Sequence, residues 1–283
     1  MPVKVIAEGD AQREICVLSY SSYSVYASCP KRYYREKVLK EPLIKVDESY
    51  TIPGRIVHHA AGKFFDEHSF DEFDPEFLRN ELAKLGNLPT VDLVKAYGSF
   101  EKAYDLLIKS VENLKVFLTG LDPTHQYMSE KWFGVWNAPL FLSNNLAIQG
   151  AADLIDISPD GTATVYDFKT SWNTRNLSRD QLILYMIAAK LKWGIDIQKA
   201  SFFLLPMNKQ NFYEVNEFDK DDLLRRFQQA ADSILSQKEA LPEVKNSKCR
   251  FCPFYGNCES TRVEQAIQTI PEGPVSFNFG ADL

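Results

Sequence analysis

Asp153, Asp167 and Lys169 are the residues whose types and spacing could do chemistry. Asp153 falls near the start of Gly150-Ala-Ala-Asp-Leu-Ile-Asp156-Ile, which reads as a β-strand. Ser158-Pro-Asp-Gly161 then supplies a turn, since Pro presets φ and Gly accepts a left-handed backbone. The next strand, 162–169, is rich in β-branched and aromatic residues and carries Asp167 and Lys169 two positions apart, hence on one face. A hairpin across the turn brings Asp153 to the same surface. Two carboxylates and an ammonium then meet in a segment otherwise apolar enough for a core, where charge is costly unless it is paired or holds a metal. Alone, Asp-x-Lys also fits a plain ion pair on an exposed hairpin face.

Cysteine forms a second group. Cys249, Cys252 and Cys258 are spaced C-x2-C-x5-C, while Cys16 and Cys29 lie far upstream. An odd count makes a poor disulfide framework for a cytoplasmic chain, and the clustering points to metal. Zinc favours a second C-x2-C pair or histidines, and no second pair exists. A zinc site and a set of buried thiols both stay open on the spacing, and Cys16 reads as a small buried hydrophobe.

Length allows one large domain or two modest ones among 283 residues, 45% of them hydrophobic. The net charge of −6 argues against nucleic-acid binding through overall charge and leaves room for a local basic groove. No apolar run approaches the ~18 residues of a membrane span. The first ten residues lack the apolar stretch of a signal peptide, so no membrane association and a cytoplasmic location are expected.

The elements that must position these groups follow in order. Residues 13–18 read as a short opening strand, and Ser19 to Ser22 offer N-caps for a helix running to about Lys37. That helix carries Lys31, Arg32 and Arg35 among tyrosines, a mix suited to a solvated face or to a phosphate backbone. Pro53 suits the first turn of a helix in which Gly54 and Gly62 flank His58 on one side. His58 fits an ordinary core or surface histidine, and the small neighbours also let it approach a strand closely. Residues 75–120 read as two polar helices with apolar stripes, broken at Asn87-Leu-Pro89, and serve as a lid or helical subdomain. Strands are expected from 126, a strongly amphipathic helix from Arg179 with Gln181 and Tyr185 on one face, strands at 200–205 and 212–215, and a long helix over 219–238.

Six pieces in this order resemble the RecB-type nucleases of the PD-(D/E)XK superfamily, and most closely the iron–sulfur branch with the CRISPR-associated RecB-like exonucleases. They are Ser21-x4-Tyr26-x2-Cys29-Pro-x-Arg-Tyr-Tyr, Gly54-x3-His58, Gly150-x2-Asp153, Asp167-x-Lys169-Thr, Gln181-x3-Tyr185 and Cys249-x2-Cys252-Pro-x4-Cys258. The resemblance implies an α/β, restriction-endonuclease-like core: a central mixed sheet from 126–170 and 200–216, flanked by helices at 53–66 and 178–193. It implies an N-terminal segment 1–50, a nuclease core 51–240 with the helical insertion 75–120, a cysteine cluster 241–262 and a flexible tail 263–283.

For the site, the resemblance implies that Asp153, Asp167, the backbone carbonyl of Phe168 and His58 bind Mg²⁺ or Mn²⁺. Lys169 would orient the attacking water or stabilise charge on the phosphate, Gln181 and Tyr185 would support the site and contact DNA, and Glu130 would support it from the preceding strand. Cys29 would join Cys249, Cys252 and Cys258 on a [4Fe–4S] cluster, which takes one thiolate per iron. Closing so long a loop gives such a cluster the role of a structural clasp. The implied activity is exonucleolytic, on single-stranded DNA or duplex ends, in recombination, repair or CRISPR spacer processing. A non-catalytic DNA-binding or scaffolding subunit is the alternative. No Walker A loop is present, so any unwinding falls to a helicase partner.

Overall fold

The computed structural model describes residues 3–8, 11–43, 47–174, 177–236 and 241–258. Nine strands are found among them: β1 (Val3–Glu8), β2 (Ala11–Leu18), β3 (Gln126–Gly134), β4 (Leu140–Phe141), β5 (Leu146–Ile148), β6 (Gly150–Ile157), β7 (Ala163–Lys169), β8 (Ile197–Leu204) and β9 (Lys209–Tyr213). One mixed sheet was expected, and two are present: β1-β2-β5-β4 and β3-β6-β7-β8-β9. The second is the expected central sheet. The first arises because the run after the β3 strand does not simply lead into the β6–β7 hairpin. Leu146–Ile148 instead lies parallel to the opening strand, Cys16 opposite Leu146. A pairing so distant in sequence leaves no local signature.

Within the five-stranded sheet β6 and β7 are antiparallel, with Leu154 opposite Tyr166, and β7 and β8 are parallel. The turn between β6 and β7 closes through Gly161 N–H to Ser158 O at 2.9 Å, with Gly161 at φ 85. A parallel pair needs a crossover, here a helix, α7 in the chain-order numbering that follows.

The helices are α1 (Tyr20–Ser28), α2 (Pro30–Tyr33), α3 (Ile52–Glu67), α4 (Pro75–Gly86), α5 (Leu93–Tyr97), α6 (Phe100–Thr119), α7 (Arg179–Trp193) and α8 (Glu217–Ser236). Ser19 caps α1 through a reciprocal pair with Ser22. The expected helix to Lys37 is interrupted at Cys29, which is extended at φ −160 and ψ 103. Pro30 explains this, since the residue before a proline is driven out of the helical region and Pro itself suits a first turn. The chain then continues as a π-helical turn over Tyr34–Val38. The insertion holds three helices rather than two, the short α5 forming behind its own Asp92 cap.

Two cores line the five-stranded sheet. Val165, Phe202 and Phe133 pack with α7, α8, Cys16 and Tyr33 on one face. Leu154, Phe168 and Phe203 pack with α3, α4 and α6 on the other. Strand alternation thus sends Asp167 towards α7 and its neighbour Phe168 towards α6. The amphipathic reading of α7 is corrected: Leu182 through Ala189 are all buried. A helix enclosed on every side needs no polar face. No helix among the described residues is long and apolar enough to cross a membrane. The expected tail, 263–283, lies outside the described residues.

Candidate metal and phosphodiester site

The β6–β7 hairpin and α7 place the charged groups. Gly150 starts β6 at φ 157, and a Cβ there would lie 2.6 Å from the Phe133 ring, so only glycine fits. Asp153 follows, 6% exposed, with its Oδ2 accepting the Phe168 N–H at 2.7 Å. That bond leaves Oδ1 directed at α3, where His58 Nδ1 is 3.7 Å away. A Cβ added at Gly54 or Gly62, one turn either side of His58, would meet Thr170 or Glu130 at ordinary contact distances.

Glu130, expected to support the site from the preceding strand, faces His58. It sits within β3 at φ 49, a left-handed conformation rare outside glycine and costly for a Glu. The twist aims its carboxylate at His58, with Oε1 at 3.0 Å from Nδ1. His58, Glu130 and Asp153 offer ligand atoms that all lie within 4.8 Å of one another, the one such group among the described residues. Asp167 stands outside this trio. Its Oδ1 accepts from Gln181 Nε2 at 2.7 Å and from Tyr185 O–H at 3.2 Å. Its buried Oδ2 receives no well-angled hydrogen bond and faces Lys169 Nζ at 2.5 Å.

Gln181 completes a closed network. One turn apart on α7, its amide donates to Tyr185 Oη at 2.8 Å and accepts from Lys169 Nζ at 3.2 Å. Lys169 is thereby held between Asp167 and Gln181 rather than free to wander.

The electrostatics follow from crowding. Burial and the neighbouring Asp167 carboxylate push Asp153 above the usual carboxylate range. Burial opposes a charge on His58, yet the Glu130 hydrogen bond and the Asp153 carboxylate outweigh it and lift the ring to about 9. Burial also raises Tyr185 well above a normal phenol, so it stays a neutral donor. Carboxylates crowded at a buried position are the condition a divalent cation relieves. Two carboxylates and one imidazole form a donor set that fits Mg²⁺ or Mn²⁺, the nitrogen favouring Mn²⁺.

One neighbour escaped the sequence reading. Tyr20, the first residue of α1, lies beside Ser178, and burial raises its phenol while the charges of Lys169 and Asp167 act on it. Its only signal was the Ser19 cap that fixes where α1 begins.

The cysteines occupy a separate place. Cys29, Cys249, Cys252 and Cys258 line one small cavity of about 30 Å³, shared with Arg32, Asn246 and Lys248. Lys31 bonds Glu243 at 2.9 Å and its N–H reaches Pro242 O at 3.1 Å, so α2 and the 241–258 segment are tied beside this cavity. Arg32 pairs with Glu36 at 3.3 Å. Burial and the nearby Cys29 and Cys249 raise the Cys252 thiol. Among the described residues no three sulfurs converge within 4.8 Å of one another. A single zinc, with Zn–S bonds of about 2.3 Å, sets its sulfurs roughly 3.8 Å apart. As placed, the four cysteines share a cavity without drawing together into a metal-binding group. Cys16 is buried away from it in β2, with its thiol pushed up to about 12 by burial.

No curated protein matches the sequence. A solved structure described as "Crystal structure of SSO0001" is similar at 17% identity and a TM-score of 0.41, covering 87% of this chain and 86% of that one. The PD-(D/E)XK nuclease superfamily matches residues 17–259, a span that takes in β6, β7 and α7 with every residue of the charged site, and the chain belongs to that superfamily.

Proposed function

We propose that the protein is a metal-dependent DNA exonuclease of the RecB-like, iron–sulfur type, hydrolysing phosphodiester bonds of single-stranded DNA or duplex ends. The observation that carries this reading is the convergence of His58, Glu130 and Asp153 beside the Asp167–Lys169–Gln181 network. His58, Glu130 and Asp153 would hold the ion, with Asp167 and the Phe168 carbonyl as further candidate ligands. When bound, a divalent cation lowers the pKa of a coordinated water and neutralises phosphate charge. Lys169 Nζ places a fixed positive charge where negative charge develops on the phosphate oxygens. Gln181 and Tyr185 hold Asp167, and Gln181 holds Lys169, so the ammonium is oriented before substrate arrives. The biological setting is recombination, repair or CRISPR spacer processing, with a helicase or adaptation proteins as partners.

The four cysteines around one cavity support a [4Fe–4S] cluster as the clasp between the α1–α2 corner and the 241–258 segment. Its role is structural, since Cys29 and Cys249 join distant parts of the chain.

The metal reading is tested by calorimetry. His58 ligates only as the neutral ring and Asp153 only as the carboxylate, and both are raised in the free protein. Mn²⁺ affinity should therefore rise as pH climbs from 7 towards 9, with proton release seen as a buffer-dependent heat. Asp153→Asn should abolish the Mn²⁺ isotherm and DNA cleavage together. Cleavage that persists in Asp153→Asn overturns the assignment.

Gln181→Ala gives a separate expected outcome. With the Lys169 anchor lost, kcat should fall roughly 10–100-fold, the usual cost of removing a group that orients a site, with KM little changed. Steady-state kinetics on an oligonucleotide check this.

A further inference from the structure

We propose that the groove beside the start of α1 is a track for single-stranded DNA leading to the metal site, with Trp136 stacking on a base and Lys40 meeting a phosphate. This rests on the nuclease reading above. The groove encloses about 590 Å³ and is lined by Ser19, Ser22, Lys37, Lys40, Trp136 and Gln149, among others.

Its place relative to the site is fixed by backbone. Gln149 N–H donates to Leu18 O at 3.0 Å, so the head of α1 and the run into β6 lie side by side. Gln149 precedes Asp153 by four residues, about 13 Å of extended strand. Tyr20, next to Ser19, is within electrostatic reach of Asp167 and Lys169. The head of α1 thus borders both the groove and the catalytic network.

Trp136 is held rigidly. Val135 and Ala138 exchange N–H···O bonds of 3.2 and 3.0 Å, which makes Trp136 and Asn137 the two central residues of a tight turn. Lys4 Nζ donates to the carbonyls of both, at 3.2 and 3.4 Å. The indole is 37% exposed on this pinned turn. A rigid aromatic of this kind offers stacking area at little entropic cost.

The charge balance suits a phosphate. Glu36, the one carboxylate among the lining residues, is already met by Lys37 at 2.6 Å and Arg32 at 3.3 Å. Lys40 is exposed and has no ion-pair partner among the described residues. The Ser19 and Ser22 hydroxyls are spent on the α1 cap. An unpaired cation and an aromatic surface in one groove match the way unpaired strands are held, through backbone charge and base stacking. A duplex keeps its bases inside and cannot use Trp136 in this way.

The test compares wild type with Trp136→Ala, Trp136→Phe and Lys40→Glu. Binding of a fluorescent oligothymidylate is followed by anisotropy without divalent metal, and hydrolysis of thymidine 5′-(p-nitrophenyl phosphate), which needs only the metal site, is followed with Mn²⁺. Trp136→Ala and Lys40→Glu should weaken oligonucleotide binding about tenfold or more, the scale of one lost stack. Trp136→Phe should retain most of the affinity, and all three should hydrolyse the small diester at the wild-type rate, which also reports that they are folded. Wild-type affinity in both Trp136→Ala and Lys40→Glu overturns the groove proposal. A wild type that with Mn²⁺ hydrolyses neither the small diester nor the oligothymidylate overturns the nuclease reading instead, and variant binding then decides the groove by itself.

Discussion

Lys169→Ala should lower DNA cleavage by about 10²–10³-fold, the usual cost of removing one preorganised group that stabilises transition-state charge. The loss should fall on kcat, because the ammonium matters most where phosphate charge builds. Mn²⁺ binding should survive, since Lys169 is not among the His58, Glu130 and Asp153 ligand group. The same change removes the ion-pair partner of Asp167 Oδ2, a buried atom with no other well-formed contact. An uncompensated buried carboxylate is destabilising. Single-turnover cleavage at saturating Mn²⁺, beside a thermal melt, separates the catalytic from the structural effect. Wild-type turnover in a folded Lys169→Ala protein would show that another group carries the charge.

Cys252→Ser should cost the clasp rather than the chemistry. Loss of one of four ligands should remove the visible absorbance of the cluster and uncouple Cys29 from the 241–258 segment. A cross-link that closes a loop longer than 100 residues stabilises by about 5 kcal/mol in the chain-entropy picture. For a chain of this size that corresponds to a fall in Tm of roughly 10 °C or more. The metal trio lies on α3, β3 and β6, none of them part of the clasp. Hydrolysis of a small chromogenic diester below the lowered Tm should therefore persist. Anaerobic purification, a visible spectrum and calorimetry check the three parts of this result. An unchanged spectrum and Tm would remove the cluster from the account.

The site residues written in local spacing were legible in the sequence. Asp167 and Lys169, two apart on a strand, and Gln181 and Tyr185, one helical turn apart, meet as their periodicities require. Asp153 was legible because a Pro-Gly turn implies a hairpin. Glu130 was visible as a residue, while its approach to His58 was not. Its direction depends on a left-handed φ that its residue type gives no reason to expect, at a position the β3–β6 register passes over between Ser129 and Lys131.

The central sheet was legible for similar reasons, each strand being a short apolar or alternating run. The second sheet was not, because β2 and β5 choose each other across more than a hundred residues. The break at Cys29 is encoded by Pro30 alone, since the residue before a proline is driven out of the helical region. The burial of Leu182 through Ala189 on every side of α7 depends on packing with α1 and α8, which no single helix sequence reveals.

The most direct measurement is cleavage of end-labelled single-stranded and duplex DNA, without ATP, by anaerobically purified protein in Mn²⁺, Mg²⁺ or EDTA. The account predicts progressive shortening from an end with either metal, faster with Mn²⁺, and none in EDTA. A protein with its cluster intact that binds the DNA and leaves it whole in both metals would contradict the account and make the chain a DNA-binding scaffold.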